Sequence, residues 1–443
     1  MKQLYLLICV FSTLLLSAQA IPVEVVLTEN GYTLMRNGEP YYINGAGGHG
    51  HLDQLVALGG NSIRTWSAED ADEILDAAHE KGLTVMFGLW VQHERHGFDY
   101  NDEAAVLNQL NRFKLIVQKY KDHPALLMWG IGNEVDLFYS NTKVWDAIQD
   151  IAAMIHEVDP NHPTSTVTAG LDSTEVYLVK TKAPDIDIYG VNTYGDIGKV
   201  PGEILQYGWD GPFIISEWGP NGHWEVPSTK WGAPLEQTST EKAASYAERF
   251  DKYIAAYRDR CIGSYVFLWG QKQETTSTWY GLFTADGAPT EPLDRLYKAW
   301  RGVAPEVAAP SIQSLTLDGQ IQDSSLYLKS RDSYVAELQF QYAGDADVDW
   351  VVYSESAAQS AGGDFEEALP PVLGVLSRRR DNSVKLTAPE EEGAYRLFVF
   401  VRGEDGRTAY ANFPFYVVPR TSEDPQPNFI QMKERTLTIP QQP

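Results

Sequence analysis

The sequence predicts an α/β protein, a (β/α)8 TIM barrel followed by a C-terminal immunoglobulin-like β-sandwich. Three observations lead there. From residue 41 to residue 303, short apolar runs alternate with amphipathic stretches roughly eight times, the number that closes a parallel barrel. At residues 304–310 (APEVAAP) the helical period stops, and short strand-like runs separated by turns follow. Two of the apolar runs, ALLMWGI from residue 125 and FIIS from residue 213, lead into glutamates, Glu134 and Glu217. A carboxylate after a buried strand sits on the rim of the sheet, where barrels carry their chemistry.

In chain order, residues 31–45 read as a hairpin. Asn37-Gly38 supplies its turn and residues 40–43 its returning strand, which also counts as the first barrel strand. Strands follow at 61–65, 83–91, 125–133, 164–169, 186–194, 213–218 and 263–269. Helices are expected at 68–81, 102–120, 144–158, 173–182, 201–206, 240–259 and 293–303. The helix at 102–120 shows the reason plainly, with Val106, Leu107, Leu110, Phe113 and Val117 on one face. An open doubly wound sheet would need a glycine fingerprint opening a helix, which the glycine-rich run 45–50 lacks. Sandwich strands are expected at 311–317, 326–328, 334–342, 347–353, 383–386, 393–401 and 408–417, with Trp350 as a core aromatic.

The division expected is a signal peptide at 1–20, the barrel at 21–303, a linker at 304–310, the sandwich at 311–420 and a polar, Pro-rich tail at 421–443. Lys2, the apolar run 4–16 and Ser17-Ala18-Gln19-Ala20 have the layout of an export signal, so the chain is expected in the periplasm or the medium. That run is too short to span a bilayer, and no membrane span is expected. Cys9 falls inside the signal, leaving Cys261 alone as a buried thiol.

Charge narrows the partner. Sixty Asp and Glu against 35 Lys and Arg give a formal net charge of −25. Such a surface repels nucleic acid and anionic lipid and suits a neutral partner. A monomer is expected. Aromatic residues make up 12% of the chain, including 12 Trp and 24 Tyr. Trp90, Trp218, Trp224, Trp231 and Trp279 lie in or near expected rim loops, as a sugar-binding cleft would require.

Two carboxylates aimed at one cleft are the machinery of glycoside hydrolysis, which needs no metal or organic cofactor. Glu134 is the candidate acid/base and Glu217 the candidate nucleophile. Asn133 is placed to bond a sugar 2-hydroxyl. Arg64 and Tyr194, each ending a strand, are placed to bond Glu217. Trp269 is expected to floor the subsite where the bond breaks, and Trp90, His93, Trp218 and Trp279 to line the cleft, with His49 and His51 as further candidates. His93-Glu94-Arg95-His96 lacks the i, i+4 helical pair that a zinc motif requires.

The segments WGIGNE around Glu134 and IISEWG around Glu217 resemble the acid/base and nucleophile motifs of the clan A retaining glycoside hydrolases. That resemblance covers roughly residues 31–303 and implies a (β/α)8 barrel whose two glutamates end the fourth and seventh strands. It also implies an Arg after the second strand, a Tyr after the sixth and a Trp after the eighth, the places of Arg64, Tyr194 and Trp269. Within the clan the chain is similar to glycoside hydrolase family 158, through the spacing of the two glutamates, the segments FLWGQKQ from residue 267 and TWYG from residue 278, and a barrel followed by an immunoglobulin-like domain. This implies a secreted endo-β-1,3-glucanase acting on laminarin-type β-glucan. Family 2-like barrels and fungal-type glucanosyltransferases resemble it nearly as well. A β-1,3-glucan transglycosylase, another clan A β-glycosidase such as a mannanase, and a non-catalytic carbohydrate-binding protein are the other readings.

Overall fold

A computed structural model describes residues 20–358, 363–380 and 382–420. The expected signal peptide, apart from its last residue, and the whole expected tail at 421–443 lie outside the described residues. The barrel is closed, with eight parallel strands adjacent in chain order.

A three-stranded antiparallel sheet precedes the barrel: β1 (Val23–Thr28), β2 (Gly31–Arg36) and β3 (Glu39–Tyr41). The β2–β3 turn is Asn37-Gly38, both with positive φ, the geometry that a tight hairpin demands. The returning strand expected over 40–43 is split. β3 completes the hairpin, and the first barrel strand β4 (Ile43–Gly47) starts after Tyr42. β1 and the short helix α1 (Leu52–Leu58) have no counterpart in the sequence-based expectation.

The barrel continues as β5 (Ser62–Arg64), α2 (Ala71–Glu80), β6 (Thr84–Leu89), α3 (Glu103–Tyr120), β7 (Leu126–Ile131), α4 (Lys143–Val158), β8 (Thr164–Ala169), α5 (Ser173–Lys182) and β9 (Ile188–Asn192). It closes with α6 (Val200–Gln206), β10 (Phe213–Trp218), α7 (Ser239–Arg249), β11 (Cys261–Val266) and α8 (Pro292–Arg301). Every residue of β6, β7, β10 and β11 is buried, as strands enclosed by a helix layer must be. The helix starts follow their caps. Asp102 accepts from the backbone N–H of Ala104 and Ala105 at 3.0 and 3.1 Å, and Thr238 with Glu241 forms a capping box.

Two four-stranded sheets form the C-terminal sandwich, in the orders β12-β14-β17-β16 and β13-β19-β18-β15. Their ranges are β12 (Ser311–Leu317), β13 (Tyr327–Lys329), β14 (Ser333–Gln341), β15 (Ala346–Ser354), β16 (Leu376–Arg380), β17 (Ser383–Thr387), β18 (Gly393–Gly403) and β19 (Thr408–Val418). β16 was not expected. Trp350 is half-buried at the margin of this core, whose interior aromatics are Tyr395, Phe413 and Phe415.

The sandwich joins the barrel through buried polar groups. Lys242 on α7 donates to Glu236 at 2.5 Å and to the carbonyls of Thr278 and Trp279, and Glu236 accepts from Asn412 of β19 at 2.7 Å. Arg396 of β18 donates to Asn412 at 2.7 Å and to the Pro234 carbonyl at 2.9 Å. Trp231, expected on the rim, packs instead against Tyr327 and Tyr416 of the sandwich.

Candidate active site

β7 and β10 are the fourth and seventh barrel strands, and both glutamates stand at their C-terminal ends. Glu134 and Glu217 line one cavity of about 880 Å³ at the barrel mouth. Behind Ile131 the chain turns sharply. Gly132 and Glu134 both adopt positive φ, a costly conformation for a glutamate that recurs at functional sites.

Glu217 is buried and accepts from three donors. Arg64 Nη1 reaches Oε1 at 3.0 Å, Trp66 Nε1 reaches the same oxygen at 2.8 Å, and the Tyr194 hydroxyl reaches Oε2 at 3.1 Å. These donors complement negative charge on the carboxylate. Arg64 is itself buried. Burial lowers its proton affinity, and the nearby Glu217 charge restores part of it.

Glu134 is also buried, and its Oε1 accepts from Asn192 Nδ2 at 2.8 Å. Burial, and next the charge of Glu217, push its pKa up to about 8. The site therefore holds one carboxylate dressed for charge and one held protonated at neutral pH. Asn192 Nδ2 also reaches Asn133 Oδ1 at 3.0 Å, and Arg64 Nη2 reaches that oxygen at 2.6 Å. Asn133 thus lines the cavity with its Oδ1 occupied twice. Asp136 accepts from the Ala169 N–H at 3.0 Å, pinning the loop that carries Glu134 against the end of β8.

Glu134, Glu217, Asn133, Arg64, Tyr194 and Trp90 thus converge, while six of the expected cleft residues do not. Trp218 is fully buried and packs on Tyr246 and Phe250, because neighbouring residues of a strand face opposite sides and Glu217 takes the inner one. Trp269 is buried against Phe283 and donates to the Gly50 carbonyl at 2.9 Å. β11 ends at Val266, so Phe267 faces the cavity in its place. Trp279 is buried and donates to the Asn221 carbonyl at 2.9 Å, fixing one rim loop to another. His93 is buried between Trp90 and His96, so it backs the cleft wall rather than lining it. His49 is exposed and His51 stacks on Phe283, and neither lines the cavity.

Sequence reasoning missed Trp66, Asn192, Phe267, His223, Glu225, Lys272 and Glu274, all of them cavity-lining. Asn192 had a signal, a polar residue ending an apolar strand. No group of three or more His, Cys, Asp or Glu side chains placed to hold a metal ion occurs among the described residues, and no described helix is long and apolar enough to cross a membrane.

Residues 50–304 match the family model described as Glycosyl hydrolases family 2, TIM barrel domain. A β-glucuronidase of Paenibacillus borealis is 24% identical over 315 residues, which is 61% of this chain and 50% of that protein. The human β-glucuronidase is 22% identical over 191 residues, 38% of this chain and 27% of that one. A β-galactosidase of Bacteroides ovatus is 25% identical over 221 residues, 41% of this chain and 25% of that one. The chain thus spans half or less of the length of these relatives. Among solved structures, the FMN-binding β-glucuronidase from Facaelibacterium prausnitzii L2-6 superposes with a TM-score of 0.50 at 15% identity, over 92% of this chain and 60% of that one, a likeness of fold.

Proposed function

The chain belongs to glycosyl hydrolase family 2 through its TIM barrel domain, and from that premise we propose that it is a retaining β-glycosidase that cleaves a neutral β-linked glucan by double displacement. Family 2 stands where the sequence motifs pointed to family 158, and the clan A chemistry carries over. The observation that supports the reading is the pair Glu134 and Glu217 in one cavity, one protonated and the other surrounded by donors.

Glu217 attacks the anomeric carbon as Glu134 gives its proton to the leaving oxygen, and the glycosidic C–O bond breaks. Water then attacks the same carbon, Glu134 takes its proton, and Glu217 leaves. The Asn133 amide bonds the sugar 2-hydroxyl, a contact that strengthens in the transition state.

A β-1,3-glucan, cut internally, is the substrate to which the motifs lead. The names of the relatives suggest glucuronides as a second reading. Charge opposes it. Besides the protonated Glu134, the cavity is lined by Asp172, Asp196, Glu217, Glu225 and Glu274, against Lys272 and His223. Lys272 is paired with Glu274 at 2.6 Å, and burial holds the His223 proton affinity down. A uronate carboxylate would enter a field of its own sign. Export by residues 1–20 would place the enzyme where such polymers are met.

A panel of β-1,3-, β-1,4- and mixed-linkage glucans, with aryl β-glucuronide and β-galactoside, tests the reading by product sizing and proton NMR. Cleavage of β-1,3-glucan with the β-anomer appearing first is expected. An α-anomer first rules out retention, turnover of the glucuronide alone rules out the neutral substrate, and products longer than the substrate assign a transglycosylase.

A further inference from the structure

We propose that the C-terminal sandwich supplies part of the substrate cleft, with Phe365 as a platform for a sugar ring distant from the cleaved bond, so that the site holds a polymer across its mouth. The proposal rests on the neutral-glucan reading and extends it beyond the catalytic pair.

Residues 363–366 leave the sandwich and reach the barrel rim. Gly363 lines the same cavity as Glu134 and Glu217. Asp364 accepts from Arg95 Nη1 at 2.8 Å and lies 3.3 Å from His96 Nε2, both in the loop after β6. Glu366, itself buried, accepts from the Thr275 N–H at 2.8 Å, from Gln273 at 3.2 Å and from Ser356 at 2.6 Å. Thr275 and Gln273 belong to the loop after β11. The segment is therefore anchored on two separate rim loops, and the residue between its anchors is Phe365.

Phe365 is 92% exposed. A lone exposed apolar side chain is ordinary, but this one sits between two fixed neighbours beside a cavity wall. It is also not alone. Of the aromatic residues left mostly in solvent among the described residues, Phe138, Tyr177, Trp224 and Phe365, two, Phe138 and Trp224, line this cavity, and Phe365 stands two residues from Gly363, which lines it as well. Phe138 follows the acid/base on the loop after β7, and Trp224 lies on the loop after β10. Phe365 stands between the anchors on the loops after β11 and β6, whose strands lie across the barrel from β7 and β10 respectively.

Rings held in water by rigid backbone can stack on the C–H face of a sugar at little ordering cost. Platforms on opposite sides of a catalytic pair fit a chain that enters on one side and leaves on the other. A site for a single terminal sugar has no use for them. The ligand class is a neutral β-linked glucan several units long.

The test compares wild type, Phe365→Ala and Phe365→Tyr on β-1,3-glucan polymer and on its trisaccharide, with product sizing and native gels containing the polymer. The expected result is a several-fold fall in the polymer-to-trisaccharide ratio of kcat/KM for Phe365→Ala, carried by KM and restored in Phe365→Tyr, with internal cuts by wild type. Equal ratios in the three proteins overturn the platform while leaving the catalytic reading standing, and so does release of single terminal sugars only. Should wild type cleave neither substrate, the substrate reading fails by itself, and the gels decide the platform. Retardation weakened by Phe365→Ala supports it, and equal migration of the two proteins overturns it.

Discussion

Trp66 donates its indole N–H to Glu217 Oε1 at 2.8 Å, the same oxygen that Arg64 holds at 3.0 Å. The guanidinium of Arg64 also lies 5.4 Å from the Trp66 ring centroid, so the two donors brace one another as well as the carboxylate. Trp66→Phe keeps most of the ring and removes the donor. It is expected to lower kcat roughly 10- to 100-fold with little change in KM, the range of one charge-assisted hydrogen bond. Steady-state kinetics on the cleaved glucan checks this, and an unchanged kcat would reduce Trp66 to packing.

Glu134 is expected to set the alkaline limit of the rate. Its folded pKa of about 8 lies above the ordinary carboxylate value, so its proton is present below that pH and lost above it. kcat/KM should fall as pH rises through about 8. Glu134→Gln should abolish that limb and should spare substrates with an activated leaving group, which need no proton. A pH–rate profile for wild type and variant on aryl and natural glycosides reads both effects.

Asn192 bonds Glu134 and Asn133 at once. Its bond to Glu134 lowers that pKa, against burial and the Glu217 charge that raise it. Asn192→Ala should move the alkaline limb to higher pH, because the carboxylate loses a donor that favoured its charged form. Activity at neutral pH should fall about tenfold through the freed Asn133 amide. A limb that stays in place or moves to lower pH contradicts this account.

Lys242 and Glu236 form a buried ion pair with side chains almost fully enclosed. Lys242→Ala leaves the Glu236 charge without its cation and should cost about 3–5 kcal/mol. Lys242→Ala paired with Glu236→Gln should recover part of that loss. Thermal and denaturant unfolding measure both. A loss below about 1 kcal/mol for Lys242→Ala would mean that Asn412, Thr276 and Thr278 suffice to hold the carboxylate.

The glutamates were legible in the sequence because each follows an apolar run whose period fixes it at a strand end. Arg64 and Tyr194 were legible for the same reason. The aromatics were not. Trp218 follows Glu217 on a strand, and the alternation of side chains already sends it to the helix layer. Trp269 and Phe267 differ only by where β11 stops, and an apolar run does not mark its own last residue. Trp66 stands two residues past a three-residue strand, and only the folded rim brings its indole back over Glu217. In the sandwich, strand positions followed from turns and alternation. The reach of residues 363–366 to the barrel is a long-range contact that no local pattern records.

The polar seam between barrel and sandwich has a consequence for how such a gene can be rearranged. Splitting the chain at residues 304–310 would strip Glu236 of Asn412, strip Lys242 of the Tyr410 hydroxyl that it reaches at 3.3 Å, and open both to water. The two halves are thus poor cassettes for exchange with other proteins, since each carries a surface finished only by its neighbour. Substitutions along that seam have to be inherited in matched sets.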